Sequence, residues 1–193
     1  WSDGGNIALQ MEVLHPGTAG AIITAGANIF PSGVRADVWE HFQKELAQKD
    51  SIPPLTKMMY VEPLMTWEDM HKIACPTLII AGEFDMIEES HTLQIANEIA
   101  QGEALILPGE DHGSFVYKSR KIGNIVLDYL NKLQNNNFVI KRLFPKMQKE
   151  KYFLKKNRAR ACVCTFFFVP LQRKLACFST VVILAITNKN INN

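Results

Sequence analysis

Hydrophobic positions in this chain follow two patterns that take turns, a helical recurrence and short unbroken apolar runs. From Asp3 to His15 apolar residues recur at helical spacing (Ile7, Ala8, Met11, Leu14), and Pro16-Gly17 stop the segment. Ala19 to Asn28 is then a run of small and β-branched residues suited to a strand buried on both faces of a parallel sheet, ended by Pro31 and Gly33. Val34 to Ala47 returns to the helical pattern, with Val38, Phe42 and Leu46 inward and Arg35, Glu40, Lys44 and Glu45 outward. A broken stretch rich in Met and Pro follows, carrying Met58, Met59 and Trp67. Residues 34 to 72 are long for a crossover and read as a small helical cap. The alternative is an ordinary crossover helix with a loosely packed neighbour.

Regularity resumes at Pro76 to Gly82, a buried strand with Asp85 three residues beyond its terminal glycine. Ser90 to Ala100 is an amphipathic helix with Ser90 as its expected N-cap, Glu103 to Pro108 the next strand, and Gly109 to Phe115 a loop into a helix around Ile122 to Leu133. Strand and helix alternate throughout, which predicts the α/β class with a doubly wound parallel sheet.

Charge changes the picture at the end of the chain. The formal charge of +2 over 193 residues hides 12 of the 21 Lys and Arg, and one of the 19 acidic residues, in the last 58 positions. Three of the four cysteines (Cys162, Cys164, Cys177) also lie there, leaving Cys75 in the body as an expected buried small hydrophobe. One body cysteine supplies no disulfide framework and fits a reducing, cytoplasmic setting. Residues 135–193 therefore read as a basic and apolar tail outside the fold, whose apolar run of about 13 residues is too short to span a bilayer. The tail is either aberrant sequence or a segment that binds an anionic membrane surface or nucleic acid. Neither a clean amphipathic period nor a nucleic-acid motif favours binding.

The chemistry-bearing residues sit where strands give way to helices. Trp1-Ser2-Asp3-Gly4-Gly5-Asn6 places a serine among small residues at the mouth of a helix, where amide N–H groups favour a developing oxyanion. The same residues make a good turn and N-cap, so Ser2 is a nucleophile or a cap. A hydroxyl needs a base, and an imidazole serves best when a carboxylate holds its tautomer. Asp85 and His112 follow in the order serine, acid, histidine. Asp85 has the alternative of capping the next helix, with Glu83, Glu88 and Glu89 as nearby acidic substitutes; His112 has that of an ordinary loop histidine. His15, His41, His71 and His91 lie in helical or cap contexts and are expected to be solvated.

Three stretches together resemble the α/β-hydrolase superfamily, specifically small hydrolases with a G-W-S-D-G-G elbow: Trp1 to Leu9, Cys75 to Asp85, and Leu107 to Gly113. The resemblance covers 1–134 and implies Ser2 as nucleophile, Asp85 as triad acid, His112 as general base and the Asp3 backbone N–H as an oxyanion donor. It implies a serine hydrolase acting on small ester, amide or thioester substrates through an acyl-serine intermediate, with no cofactor and no metal, beneath a cap lined by Met58, Met59 and Trp67. Acyl transfer or C–C hydrolysis on the same triad stays open. The Asp3 side chain either pairs with a cationic amine on the substrate or stabilises the helix N-terminus. The glycine before Trp1 and the family's earlier strands are not in this sequence. The resemblance thus implies a C-terminal portion of the fold, inactive by itself. From a different class, the chain is a non-catalytic remnant acting through its tail.

Overall fold

Gly5 decides which side of the first helix, α1 (Asp3–Leu14), faces the sheet. A Cβ at Gly5 would lie 3.1 Å from the Cβ of Ala27 and 3.2 Å from that of Thr24, so the helix comes closer to strand β1 (Ile22–Ala25) than an ordinary side chain permits. Gly4, Gly5, Ala8 and Leu9 are buried with Asn6 and Glu12, and Ile7 and Leu14 are exposed. The Ile7–Met11–Leu14 spacing correctly marks a helix but is not its packed face. At the far end Glu12, 1% exposed, accepts the N–H groups of Gly17 (2.6 Å) and Ala19 (2.8 Å). A buried carboxylate with two donors closes the turn into β1, because burial without them would be costly.

The computed structural model describes residues 1–47 and 52–135. A 3₁₀ turn (Pro31–Gly33) follows β1, then α2 (Ala36–Ala47), α3 (Pro54–Val61), α4 (Trp67–Met70), β2 (Thr77–Phe84), α5 (Glu89–Glu98), β3 (Gly102–Asp111) and α6 (Lys121–Asn135). The three strands form one parallel sheet in the order β1-β2-β3, with Ile22 opposite Thr77 and Thr77 opposite Gly102. Alternate strand residues feed two cores. Ile22 and Ile79 pack with Leu9, Met70, Ile95 and Ile99 on one face; Ile23, Leu78 and Ile80 pack with Phe115 and Tyr129 on the other. Helices thus cover both faces, the doubly wound arrangement that buries parallel strands. α6 is described as far as Asn135, and the tail expected beyond it, with its alternative binding roles, lies outside the described residues from 136 on. Among the described residues no helix is long and apolar enough to cross a membrane.

β1 occupies four residues within the run from Ala19 to Asn28, since Gly26 turns the chain with φ +61. β3 instead runs past Pro108 to Asp111, through three residues expected in a loop. A Cβ at Gly82 would lie 2.3 Å from the Glu110 carbonyl oxygen, so glycine on β2 lets the extended β3 stay close across a register shift between Gly82 and Phe84. His112 consequently leaves directly from the end of a strand.

Residues 34 to 72 hold α2, α3 and α4, and Phe42 stacks on Tyr60 at 4.3 Å in a separate small core with Val34 and Ile87. The Tyr60 hydroxyl donates to Glu45 (2.5 Å), and that bond pushes its pKa up to about 12. The root of this unit is stitched to the segment after β2: Arg35 N–H donates to Met86 O (2.9 Å), Glu88 N–H to Gly33 O (3.0 Å), and Val34 bridges Ile87. Those bonds hold Glu88 extended, and α5 begins at Glu89 with no side-chain cap, so Ser90 is not the N-cap the sequence suggests.

His91 is not solvated. It is 5% exposed, accepts the Ile29 N–H at Nε2 (3.1 Å), and packs against Phe30 and Trp67 at 4.6 and 5.2 Å between ring centres. Gly33 makes room, since a Cβ there would lie 2.4 Å from Nε2. Burial pushes the imidazole pKa down from 6.5 to about 4. The folded state thus binds fewer protons at this site than the unfolded chain once pH falls below 6.5, and stability drops as pH goes from there towards 4. Between pH 7 and pH 4.5 the expected loss from this group is about 2–3 kcal/mol. Urea unfolding of the full-length protein at both pH values checks it. His91→Gln should show a smaller acid sensitivity than the wild type, and equal sensitivity in the two proteins would refute the assignment.

Candidate active site

Ser2 is held in a conformation few side chains adopt, φ 55 and ψ −134. Such a backbone costs of order 1–3 kcal/mol and persists only where its surroundings enforce it. Here Ser2 N–H donates to Ala25 O at the end of β1 (2.8 Å), and Ser2 O accepts from Gly5 N–H (2.7 Å) and Asn6 N–H (3.2 Å). Its side chain makes no capping bond to α1, so the N-cap alternative is not what the hydroxyl does. The hydroxyl points instead at His112, with Oγ 3.1 Å from Nε2. Among the described residues the Asp3 N–H has no acceptor, and it opens the first turn of α1 beside Ser2. The Asp3 carboxylate is reached by Asn6 Nδ2 at 3.5 Å.

Asp85 lies just past β2 and is 2% exposed. Three donors compensate its burial: Ile87 N–H (3.0 Å), Gly82 N–H (3.3 Å) and His112 Nδ1–H (2.7 Å). A carboxylate only accepts, so this contact puts the imidazole proton on Nδ1 and leaves Nε2 as acceptor for the Ser2 hydroxyl. The acidic alternatives are engaged elsewhere or lie outside this contact. Glu83 accepts the Gly109 N–H (2.8 Å), and neither Glu88 nor Glu89 bonds His112.

The turn carrying His112 is tied at several points. Asp111 Oδ1 accepts the N–H groups of Gly113 and Ser114, both at 2.8 Å, an Asx-type turn written in the spacing Asp-x-x-Ser. The Ser114 hydroxyl donates to Glu110 (2.5 Å), and Lys121 pairs with the same carboxylate and holds its pKa below the usual range. Behind the imidazole, a Cβ at Gly26 would stand 2.6 Å from His112 Cε1, so the glycine with φ +61 leaves the space the ring occupies. Sequence reasoning passed over Gly26 and the tie between Asn6 and Asn28. Asn28 N–H donates to Asn6 Oδ1 (2.8 Å) and Asn6 Nδ2 to Asn28 Oδ1 (3.1 Å), binding the start of α1 to the segment beyond β1. No signal short of the fold joins those two asparagines.

A hydroxyl, imidazole and buried carboxylate in this relay can move a proton from oxygen to nitrogen as a new bond forms at the oxygen. The residues expected to line a substrate path sit on α3 and α4. Met58 and Met59 are 43% and 40% exposed on α3, and Trp67 stacks edge-on against Phe30 at 5.2 Å and lies at the same distance from His91. None of the three is a hydrogen-bond or ring partner of Ser2, Asp85 or His112 in the described residues. Cys75 is half-buried against the α1-side core, and burial pushes its thiol up to about 11. Among the described residues no three His, Cys, Asp or Glu side chains gather as a metal ion would require.

Solved structures share this fold. A protein of Mycobacterium tuberculosis H37Rv assigned as a non-heme bromoperoxidase superposes with a TM-score of 0.52 at 15% identity, over 68% of this chain and 65% of its own. A carboxylesterase of the ammonia-oxidizing thaumarchaeon Nitrososphaera gargenis gives 0.52 at 19% identity, over 70% and 64%. Est816, an N-acyl homoserine lactone degrading enzyme, gives 0.50 at 16% identity, over 66% and 64%. The fold is that of the α/β-hydrolases. The chain spans less than two thirds of the length of each of these structures. No family model matches the sequence, and no curated protein sequence matches it.

Proposed function

We propose that this chain carries the reacting residues of a serine hydrolase that cleaves small ester, amide or thioester bonds, in a protein whose remaining strands complete the sheet. The observation that carries the reading is the relay of 3.1 Å from Ser2 Oγ to His112 Nε2 and 2.7 Å from Nδ1 to a buried Asp85, built on a serine with positive φ. In acylation the Ser2 Oγ–H proton passes to His112 Nε2 as the Oγ–C bond forms, and the carbonyl oxygen takes the charge. The Asp3 N–H at the α1 N-terminus is one donor to that oxyanion. The leaving group departs with the proton held by His112, and a water activated by His112 then releases the acid and regenerates Ser2. The exposed Met58 and Met59 serve as adaptable apolar contacts for the substrate, together with Trp67.

A fluorophosphonate probe tests the reading. The full-length protein is expected to take up one equivalent, mapped by peptide mass to Ser2. Absence of labelling, or labelling at another residue, would sink it.

A further inference from the structure

Trp1 and Ser2 are neighbours in sequence, yet their side chains reach opposite ends of the same residue. Ser2 Oγ meets the His112 imidazole, and the Trp1 indole N–H donates to the His112 main-chain carbonyl at 2.6 Å. The indole ring also lies 5.4 Å from the imidazole centre, tilted by 42°, and meets Tyr117 edge-on at 4.8 Å. Its body packs against the core of Ile23, Leu78 and Phe115 on the α6 side of the sheet. A half-buried indole fixed along its length is a stiff arm, with two side-chain torsions and one donor at its tip.

We infer that Trp1 is a positioning residue for His112, clamping the base's backbone to the residue before the nucleophile. This rests on the serine-hydrolase reading of the site. Asp111 secures the turn through the N–H groups of Gly113 and Ser114, which follow His112. Among the described residues the His112 carbonyl is held by Trp1 alone. Gly113 is the near side of the same contact, since a Cβ there would lie 3.0 Å from the Tyr117 ring and 3.8 Å from the Trp1 indole. The imidazole side chain is 21% exposed, so packing on its open side does not define its place. The base must stay within hydrogen-bond reach of Oγ as it takes the proton and then deliver it to the leaving group. A shift of about 1 Å in such a group costs up to about 100-fold in rate. Coupling base and nucleophile through adjacent residues makes any motion of the elbow carry the base with it.

The test compares wild type, Trp1→Phe and a protein with 3-benzothienylalanine at position 1, each as the full-length protein hydrolysing p-nitrophenyl butyrate. Phenylalanine keeps an aromatic ring near Tyr117 and loses the donor; the benzothienyl isostere keeps the indole shape with sulfur in place of N–H. Rates are normalised to active sites titrated with the fluorophosphonate, so that a loss of folded protein does not register. The expected result is a kcat lower by about 10- to 100-fold in both proteins, with KM within about twofold of wild type. If Trp1→Phe fails to fold, the isostere decides. A normalised kcat within twofold of wild type in the isostere overturns the inference and reduces Trp1 to core packing. Retained labelling in Ser2→Ala would instead sink the serine reading itself, so the two failures are separable.

Discussion

Ser2→Ala in the full-length protein is expected to lower kcat for a p-nitrophenyl ester by about 10⁶-fold, and His112→Ala by a similar factor. The double variant should lose no more than either single one. Nucleophile and base act as one unit, because the hydroxyl without the imidazole keeps its proton and the imidazole without the hydroxyl has nothing to deprotonate. The 3.1 Å contact between Oγ and Nε2 is what makes the unit. Single-turnover rates for the three variants complete the cycle. Losses that multiply in the double variant would show that the two side chains act independently and would end the relay account.

Asp85→Asn should lower kcat by about 10⁴-fold while KM and the folded state change little. The asparagine carbonyl at the Oδ1 position can keep accepting both the Ile87 N–H (3.0 Å) and the His112 Nδ1–H (2.7 Å), which share that oxygen, so the turn after β2 survives. Its amide group would then stand at the Oδ2 position, opposite the Gly82 N–H (3.3 Å). What is lost is the negative charge that stabilises the imidazolium as Nε2 takes the hydroxyl's proton. Kinetics at pH 7 beside thermal unfolding separate this from simple destabilisation. A variant with near-wild-type kcat would show that His112 needs no charge at Asp85 to take the proton.

Much of the architecture was legible along the chain because it depends on neighbours in sequence. Apolar runs such as Thr77 to Ala81 can satisfy themselves only between two packed layers, although the strand itself continues through Gly82 to Phe84. The order Ser2, Asp85, His112 was legible along the chain; Asp85 and His112 each follow a strand of one parallel sheet and so emerge at the same edge, and Ser2 is bonded there to the last residue of β1. Other expectations gave way to contacts between distant segments. His91 lies on a helix with polar neighbours, and only the approach of Phe30, Trp67 and Gly33 takes water from it. Ser90 has the chemistry of a cap, but Gly33 holds the preceding backbone and starts the helix early. Ile7 and Leu14 of α1 face outward because Gly5, not a large side chain, sets the distance to β1.

The sequence by itself determined the alternation of strand and helix, the turn at Ser2, and the chain order of Ser2, Asp85 and His112. These follow from backbone preference and local polarity, which act over a few residues. Tertiary structure alone decided which carboxylate meets the imidazole, which nitrogen carries its proton, and that the indole of Trp1 reaches the carbonyl of residue 112. Those facts are distances of about 3 Å between groups up to 111 positions apart, and only packing on both sides of the sheet brings such groups within hydrogen-bond range.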